Sequence, residues 1–524
     1  MIHRVMPSRT DTKPQDKTPL THIVVRNTFF NLLTQALLVV AAIWSLPLIV
    51  KGLSSEGFGL LSLVWAFIGY FTLLDFGISR ANTKFLSEAL AKADAGGMRK
   101  LVWTSLSISF LLGTVSGGAM ILAARFLVED LFKINAAMSG EAIRAFTYAG
   151  IGIPFMLVFG TLKGFQMALQ RFGIVNLFQG LTGIIQWVGS VALLWWGYGL
   201  EEVVILTVGL RVILALIAFG ILPLLIPGIY RGVQFWDGPT LKKLLSFGGW
   251  VTISQVISPL FLYLDRVFIG AFLTLAAVAY YSVPQEALTR VLVVPMSLTT
   301  TLFPAMSEQS VLSLEESRVG VMYYRSTKYL FMVMFPLVLI FLVCAPEIVN
   351  LWLGKEIAGH TVLIFRILAV GLLFNALAQI PTTALHAFGR PDITAKFHML
   401  ELPVMVILNL ILIPWIGIVG AAIAWTLRVV IDTILLFSAV QRRMGRSFLK
   451  SDENLMRRRS SLHPIVILVS ASSIMLVGSS SGKIIAGSIF VVVCVASTWL
   501  FGFDDVDRKF FMQLRSKMFG PAGT

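Results

Sequence analysis

Long apolar runs separated by short polar stretches dominate the chain from end to end. A bilayer demands about 20 consecutive apolar residues of a helix, and the sequence offers fourteen such runs. They fall at about 27–50, 58–78, 101–124, 143–162, 173–196, 203–227, 247–270, 277–304, 329–350, 361–381, 398–415, 418–440, 464–481 and 484–502. The runs at 398–415 and 418–440 nearly touch, but Pro414 and Gly417 mark a tight turn between them. An even count puts both termini on one side of the membrane. Taking that side as the cytoplasm, about 31 of the 42 Lys and Arg fall in the tails and cytoplasmic loops and about 5 outside, as the positive-inside rule requires. A miscount of one helix would scramble that alternation.

The polar breaks divide the chain into a cytoplasmic tail (1–26), a first six-helix lobe (27–228), a linker (229–246) and a second six-helix lobe (247–440). A basic cytoplasmic loop (441–463), two further helices (464–502) and a cytoplasmic tail (503–524) follow. The first run is full length and no small-residue cleavage site precedes it, so it is expected to remain as a helix. An internal repeat supports the lobes. Ala168-Leu-Gln-Arg-Phe-Gly173 matches Ala384-Leu-His-Ala-Phe-Gly389 about 216 residues later, and Leu210-Arg-Val212 matches Leu427-Arg-Val429 at nearly the same offset. Two copies of an even-numbered unit enter the membrane in the same direction, which predicts a pseudo-two-fold axis along the membrane normal. The expected fold class is therefore all-α and integral to the membrane, with two lobes around a shared midplane cavity. Prolines inside the runs, among them Pro47, Pro154, Pro284, Pro295, Pro336 and Pro381, suit a protein that bends.

Composition agrees: 57% hydrophobic residues, 13% charged and a mean hydropathy of +0.84, against about 45–50% and about 25% in soluble domains. The net charge of +15 lies in alternate loops, so it signals topology and no nucleic-acid partner. Cys344 and Cys494 are the only cysteines, which excludes a disulfide framework and a cysteine zinc site. The six histidines are scattered without ligand spacing, and no metal site is expected.

Chemistry enters through charges inside the apolar runs. An ionisable group at mid-bilayer costs at least about 2.5–3.5 kcal/mol, so it faces a cavity or a partner. Arg144, Arg211, Asp265, Arg266, Glu286, Arg290, Arg366, Glu401, Arg428 and Asp432 qualify, with Asp75 and Arg80 where the second run ends. Arg144 and Arg80 lie near helix ends and can snorkel. Glu286 with Arg290, and Arg428 with Asp432, stand four apart and can pair on one helix face. Asp265 and Arg266 are adjacent in mid-helix and point to different sides. The arginine fork binds phosphate oxygens bidentately and keeps its charge. A cavity carrying Arg266, Arg290 and Arg211 would attract an anion such as a pyrophosphate, with Asp265, Glu286 and Asp75 as charge partners. Tyr263, Tyr280 and Tyr281 could stack on sugar rings or anchor at interfaces.

The chain resembles the polysaccharide and O-antigen flippases of the multidrug/oligosaccharidyl-lipid/polysaccharide exporter superfamily. The resemblance rests on Gly57-Phe-Gly-Leu-Leu-Ser62 with Leu74-Asp-Phe-Gly77, Ala168-Leu-Gln-Arg171, Leu264-Asp-Arg-Val-Phe-Ile-Gly270, Tyr280-Tyr-Ser282 with Leu302-Phe-Pro304, and Gly417-Ile-Val-Gly-Ala-Ala422. It implies fourteen helices in a bacterial inner membrane, no cofactor and no chemistry. It implies a polyprenyl-pyrophosphate-linked glycan carried to the outer leaflet, cavity arginines on the pyrophosphate and coupling to an H+ or Na+ gradient, with Asp265, Glu286 and Asp75 as coupling candidates. Membrane lipids and other polysaccharide-assembly proteins are the partners it implies.

Rival classes fit less well. A multidrug exporter of cationic drugs wants an acidic cavity, and a relative that flips the peptidoglycan precursor separates poorly from the O-antigen type. A membrane glycosyltransferase, polymerase or ligase needs acid/base groups on a sizeable aqueous loop, and the paired Glu201 and Glu202 stand on a loop of about six residues. No P-loop pattern marks a nucleotide-driven pump.

Overall fold

The computed structural model describes residues 18–73, 77–231, 233–312 and 317–444, with scattered positions between 482 and 497. Every regular element among the described residues is helical, and ten helices are long and apolar enough to cross a membrane. Run 464–481, most of run 484–502, residues 1–17, the C-terminal tail and most of the basic loop lie outside the described residues, as does Asp75.

The first two runs form one bent helix, α1 (Thr18–Leu73), with its only break at Ser54. Ser54 takes φ 65° and ψ 169°, a backbone that side chains seldom adopt, and its Oγ accepts a hydrogen bond from Gly57 N at 3.4 Å. Two arms thus meet without the expected loop. The polar stretch after 78 is also helical. In α2 (Ile78–Ala91), Ala81, Asn82, Phe85 and Leu86 recur at helical spacing and are buried, while Lys84 is exposed and Glu88 half-buried. Asp94 then caps α3 (Ala95–Phe126), its Oδ1 accepting from Gly97 N at 2.8 Å, so that helix starts earlier than its apolar run.

A π turn, Leu127–Leu131, ends α3. It packs tightly on α4 (Ala136–Ala168): a side chain at Gly113 or Gly117 would strike the backbone of Pro154 or Gly150, the close approach that small-xxx-small spacing permits. Next come α5 (Phe172–Ile184), a second π turn at Ile185–Gly189 and α6 (Ser190–Trp195), continuous as one crossing. α7 (Leu200–Gly220) starts with Glu202 Oε2 accepting from Gly199 N at 2.8 Å, and a single turn, α8 (Leu222–Leu225), follows.

The linker is shorter than expected because α9 (Gly238–Phe272) begins within it. Asp237 caps α9 by accepting from Thr240 N at 3.0 Å and Thr240 Oγ1 at 2.6 Å, and it pairs with Lys100 at 3.3 Å. Run 277–304 divides into α10 (Leu275–Arg290) and α11 (Val293–Leu312). The break falls four residues before Pro295, which has no N–H to return to the Val291 carbonyl. Then follow α12 (Ser317–Val343), α13 (Ala345–Leu353), α14 (Lys355–Ala387), α15 (Pro391–Ile416) and α16 (Ile418–Met444).

The N-terminal and C-terminal halves touch along the second arm of α1. A side chain at Gly59 would overlap the Leu275 carbonyl, Ser62 Oγ donates to Ser282 Oγ at 2.8 Å, and Gly270 nests between Leu63 and Phe132. The repeat fares unevenly. Leu210–Val212 and Leu427–Val429 occupy like positions, about three turns into α7 and α16. The six-residue match does not. Its left-handed residue is the third in the first copy (Gln170, φ 56°) and the last in the second (Gly389, φ 71°), so the match is displaced along the turn.

Candidate functional site

Asp265 and Arg266 lie on α9 and project, as adjacency requires, to different neighbours. Asp265 is fully buried between Tyr281 Oη, which donates to its Oδ2 at 2.7 Å, and Asn409 Nδ2, which donates to Oδ1 at 3.0 Å. Arg266 is 3% exposed and turns toward α1 and α10. Its Nη1 donates to Ser62 Oγ at 3.1 Å, Nε and Nη2 donate to Gln285 Oε1 at 3.3 and 3.2 Å, and Nη2 pairs with Glu286 Oε1 at 2.8 Å.

Glu286 is the pivot. Its other oxygen, Oε2, pairs with Arg290 Nη2 at 3.1 Å, one helical turn along α10. The Arg290 guanidinium lies 5.5 Å from the centre of the Trp187 ring, within cation–π range. Trp187 sits in the π turn Ile185–Gly189, and its neighbour Gln186 accepts from Arg211 Nη2 at 2.8 Å. Arg211 also donates to the Thr207 carbonyl at 2.8 Å. Tyr263 stands among these groups, within electrostatic reach of Arg211, Arg266, Glu286 and Arg290. The three arginines expected from sequence are therefore joined in one chain of contacts across both halves, with a single carboxylate threaded between two of them. Glu286 and Arg290 are 23% and 30% exposed, and the more buried Arg266 lies behind them.

Other in-membrane charges have structural partners. Arg144 Nε meets Glu201 Oε2 at 2.7 Å and Tyr148 Oη donates to Glu201 Oε1 at 3.1 Å, while Glu202 is the cap of α7. The paired glutamates thus serve helix ends. Arg366 Nε donates to the Leu342 carbonyl at 2.9 Å. Arg428 reaches across to Glu401 Oε2 at 3.3 Å, instead of the expected partner four residues along its own helix. The tyrosines also differ from expectation: Tyr281 is fully buried on Asp265, and Tyr280 stacks on His360 with ring centres 4.8 Å apart.

Sequence reasoning missed Ser62, Gln186, Trp187, Gln285 and Asn409. Neutral polar side chains are common in membrane helices and carry no cost that marks them. Single π turns such as Ile185–Gly189 frequently accompany function.

Comparison with known proteins supplies the family. Residues 24–310 match the family model described as polysaccharide biosynthesis protein. The chain belongs to that family. Among its relatives, a putative O-antigen transporter of Shigella flexneri is 28% identical over 79% of this chain and 96% of its own. A probable low-salt glycan biosynthesis flippase of Haloferax volcanii is 23% identical, over 74% of this chain and 76% of its own. Solved structures share the fold. The lipid II flippase MurJ in an inward closed conformation aligns with TM-score 0.69 at 14% identity, over 92% of this chain and 98% of its own. An inward-facing multidrug resistance transporter of the MATE family aligns with TM-score 0.69 at 16% identity, over 79% of this chain and 96% of its own.

Proposed function

We propose that this protein flips a polyprenyl-pyrophosphate-linked oligosaccharide from the cytoplasmic to the outer leaflet by alternating access, for export of a cell-surface polysaccharide. One observation carries the reading: Arg266 and Arg290 share a single counter-charge, Glu286, and Arg211 joins them through Gln186 beside Trp187, with Asp265 turned away. Three cations against one anion leave about two positive charges, matching the roughly two negative charges of a pyrophosphate diester, and arginine forks suit its oxygens. Names of the relatives, an O-antigen transporter and glycan flippases, support the same substrate class.

The sugar is the obstacle to unaided flipping. Each hydroxyl stripped of water in hydrocarbon costs several kcal/mol, and a hydrated cationic cavity open to one side at a time removes that barrier. In this reading the protein lies in a bacterial inner membrane with both termini cytoplasmic, its lobes divide at 229–246, and an H+ or Na+ gradient drives the cycle. It carries its cargo between other polysaccharide-assembly proteins and needs no catalytic residue or cofactor.

The test is reconstitution into liposomes with a short polyprenyl-pyrophosphate glycan, comparing wild type with Arg266→Gln and Arg290→Gln at equal insertion. Each variant is expected to lose at least about tenfold in rate, corresponding to roughly 1.4 kcal/mol of binding or barrier. Undiminished transport in both would move the pyrophosphate site elsewhere. No wild-type flipping, alongside efflux of an organic cation, would replace the flippase reading with a drug exporter.

A further inference from the structure

A second buried charge cluster lies in the C-terminal half, and no part of the arginine chain uses it. Glu401 on α15 and Asp432 on α16 place their carboxyl groups within hydrogen-bonding reach of one another. Glu401 is 1% exposed and Asp432 is half-buried. Arg428 supplies the neighbouring positive charge: its Nη1 donates to Glu401 Oε2 at 3.3 Å, and the fork lies 4.4 Å from the centre of the Phe261 ring. Glu401 Oε1 and Asp432 Oδ1 are both buried without a donor, and so are Arg428 Nε and His398 Nδ1 without partners.

Two ionised carboxylates have only acceptors to offer each other. At hydrogen-bond distance they cannot both keep their charge, since like charges so close force one to hold a proton. Water could donate to each orphan oxygen but would leave the two like charges face to face. A sodium ion would have to settle against the fixed positive charge of Arg428. A proton meets both needs: it gives the pair a donor and removes one of the two negative charges.

We propose that Glu401 and Asp432 form a proton-binding site, holding one shared proton in this conformation and releasing it when α15 and α16 shift apart. The surroundings are mixed in charge. His398 faces the pair from α15 and Arg428 from α16. Asp265 on α9 lies within electrostatic reach of Arg428, Tyr281 on α10 bonds Asp265, and His386 on α14 lies near His398. Half-buried Asp432 offers the proton its way in. Asp265 stands between Arg428 and Arg266, so a change of charge at the pair reaches the arginine chain through one intervening carboxylate.

The link to transport rests on the flippase reading, whereas the site itself does not, and one set of samples separates them. Infrared difference spectra of the lipid-reconstituted protein, in H2O and D2O, would be recorded as pH is stepped around neutrality. The expected result is an isotope-sensitive protonated-carboxyl band in wild type that both Glu401→Gln and Asp432→Asn remove. A wild type lacking the band, or a band surviving in both variants, would overturn the site. Glu401→Gln keeps an acceptor for Arg428, and if it fails to fold, Asp432→Asn decides alone. With the polyprenyl-pyrophosphate glycan as probe, a pH gradient is expected to change the wild-type rate several-fold and neither variant's. A response to a sodium gradient alone would overturn the coupling. A band without any wild-type glycan transport would sustain the proton site and sink the flippase reading.

Discussion

Arg266 binds three different side chains, Ser62, Gln285 and Glu286, through all three of its nitrogens. A lysine is a point charge on a flexible stem and cannot span that fork. Arg266→Lys is therefore expected to transport almost as poorly as Arg266→Gln, about tenfold below wild type, a loss of roughly 1.4 kcal/mol read from initial flipping rates. Asp237 allows a prediction about pH. Its hydrogen bonds from Thr240, and then its ion pair with Lys100, hold its carboxyl below the ordinary range. A carboxyl depressed in the folded state stabilises above its unfolded value, near about 3.9, and that contribution fades as pH falls through the lower folded value. Asp237→Ala is expected to melt below wild type at neutral pH, with the two thermal midpoints converging in acid. At this scale the sequence exposed the arginines because a charge in an apolar run is costly. It concealed Gln186 and Asn409, whose neutral amides raise no such contrast, and gave no hint that Arg428 would prefer Glu401 to Asp432.

Between elements, the second arm of α1 and the start of α10 form the seam of the two halves. Ser62 and Ser282 approach to 2.8 Å there, close enough for a disulfide between cysteines to form with little backbone movement. In a background with Cys344 and Cys494 replaced by alanine, Ser62→Cys with Ser282→Cys is expected to cross-link on oxidation and stop glycan flipping, with a reductant restoring it. Full activity in the cross-linked protein would show that the seam never opens during the cycle. Helix positions were largely legible because bilayer-length apolar runs have few alternatives. The differences have local causes: α2 is amphipathic and so escapes a search for continuous apolarity, and Pro295 divides a run read as one span. The Ser54 bend had no glycine or proline at the turning residue to announce it.

For the whole molecule, the proposed direction of transport agrees with charge. A pyrophosphate moving toward a positive exterior gains about 2.3 kcal/mol per charge per 100 mV. An inside-negative potassium diffusion potential is expected to speed outward flipping in proteoliposomes and a reversed one to slow it, measured as the fraction of labelled glycan reaching the outer leaflet. Insensitivity to both signs would mean that an equal charge returns with each cycle. Short matches at one offset pointed to a duplication, but a repeat in letters proved a loose guide to equivalent positions, as Gln170 and Gly389 show.

Glu286 gives the arginines an anion of their own. In the cycle proposed above, an entering phosphate evicts that carboxylate from Arg290, so arrival is an exchange of partners. Departure runs the exchange backwards, with the carboxylate waiting one bond away to reclaim the guanidinium. By that proposal the carrier grips its cargo only moderately, and lets go of it on the far side without any step devoted to prising it loose.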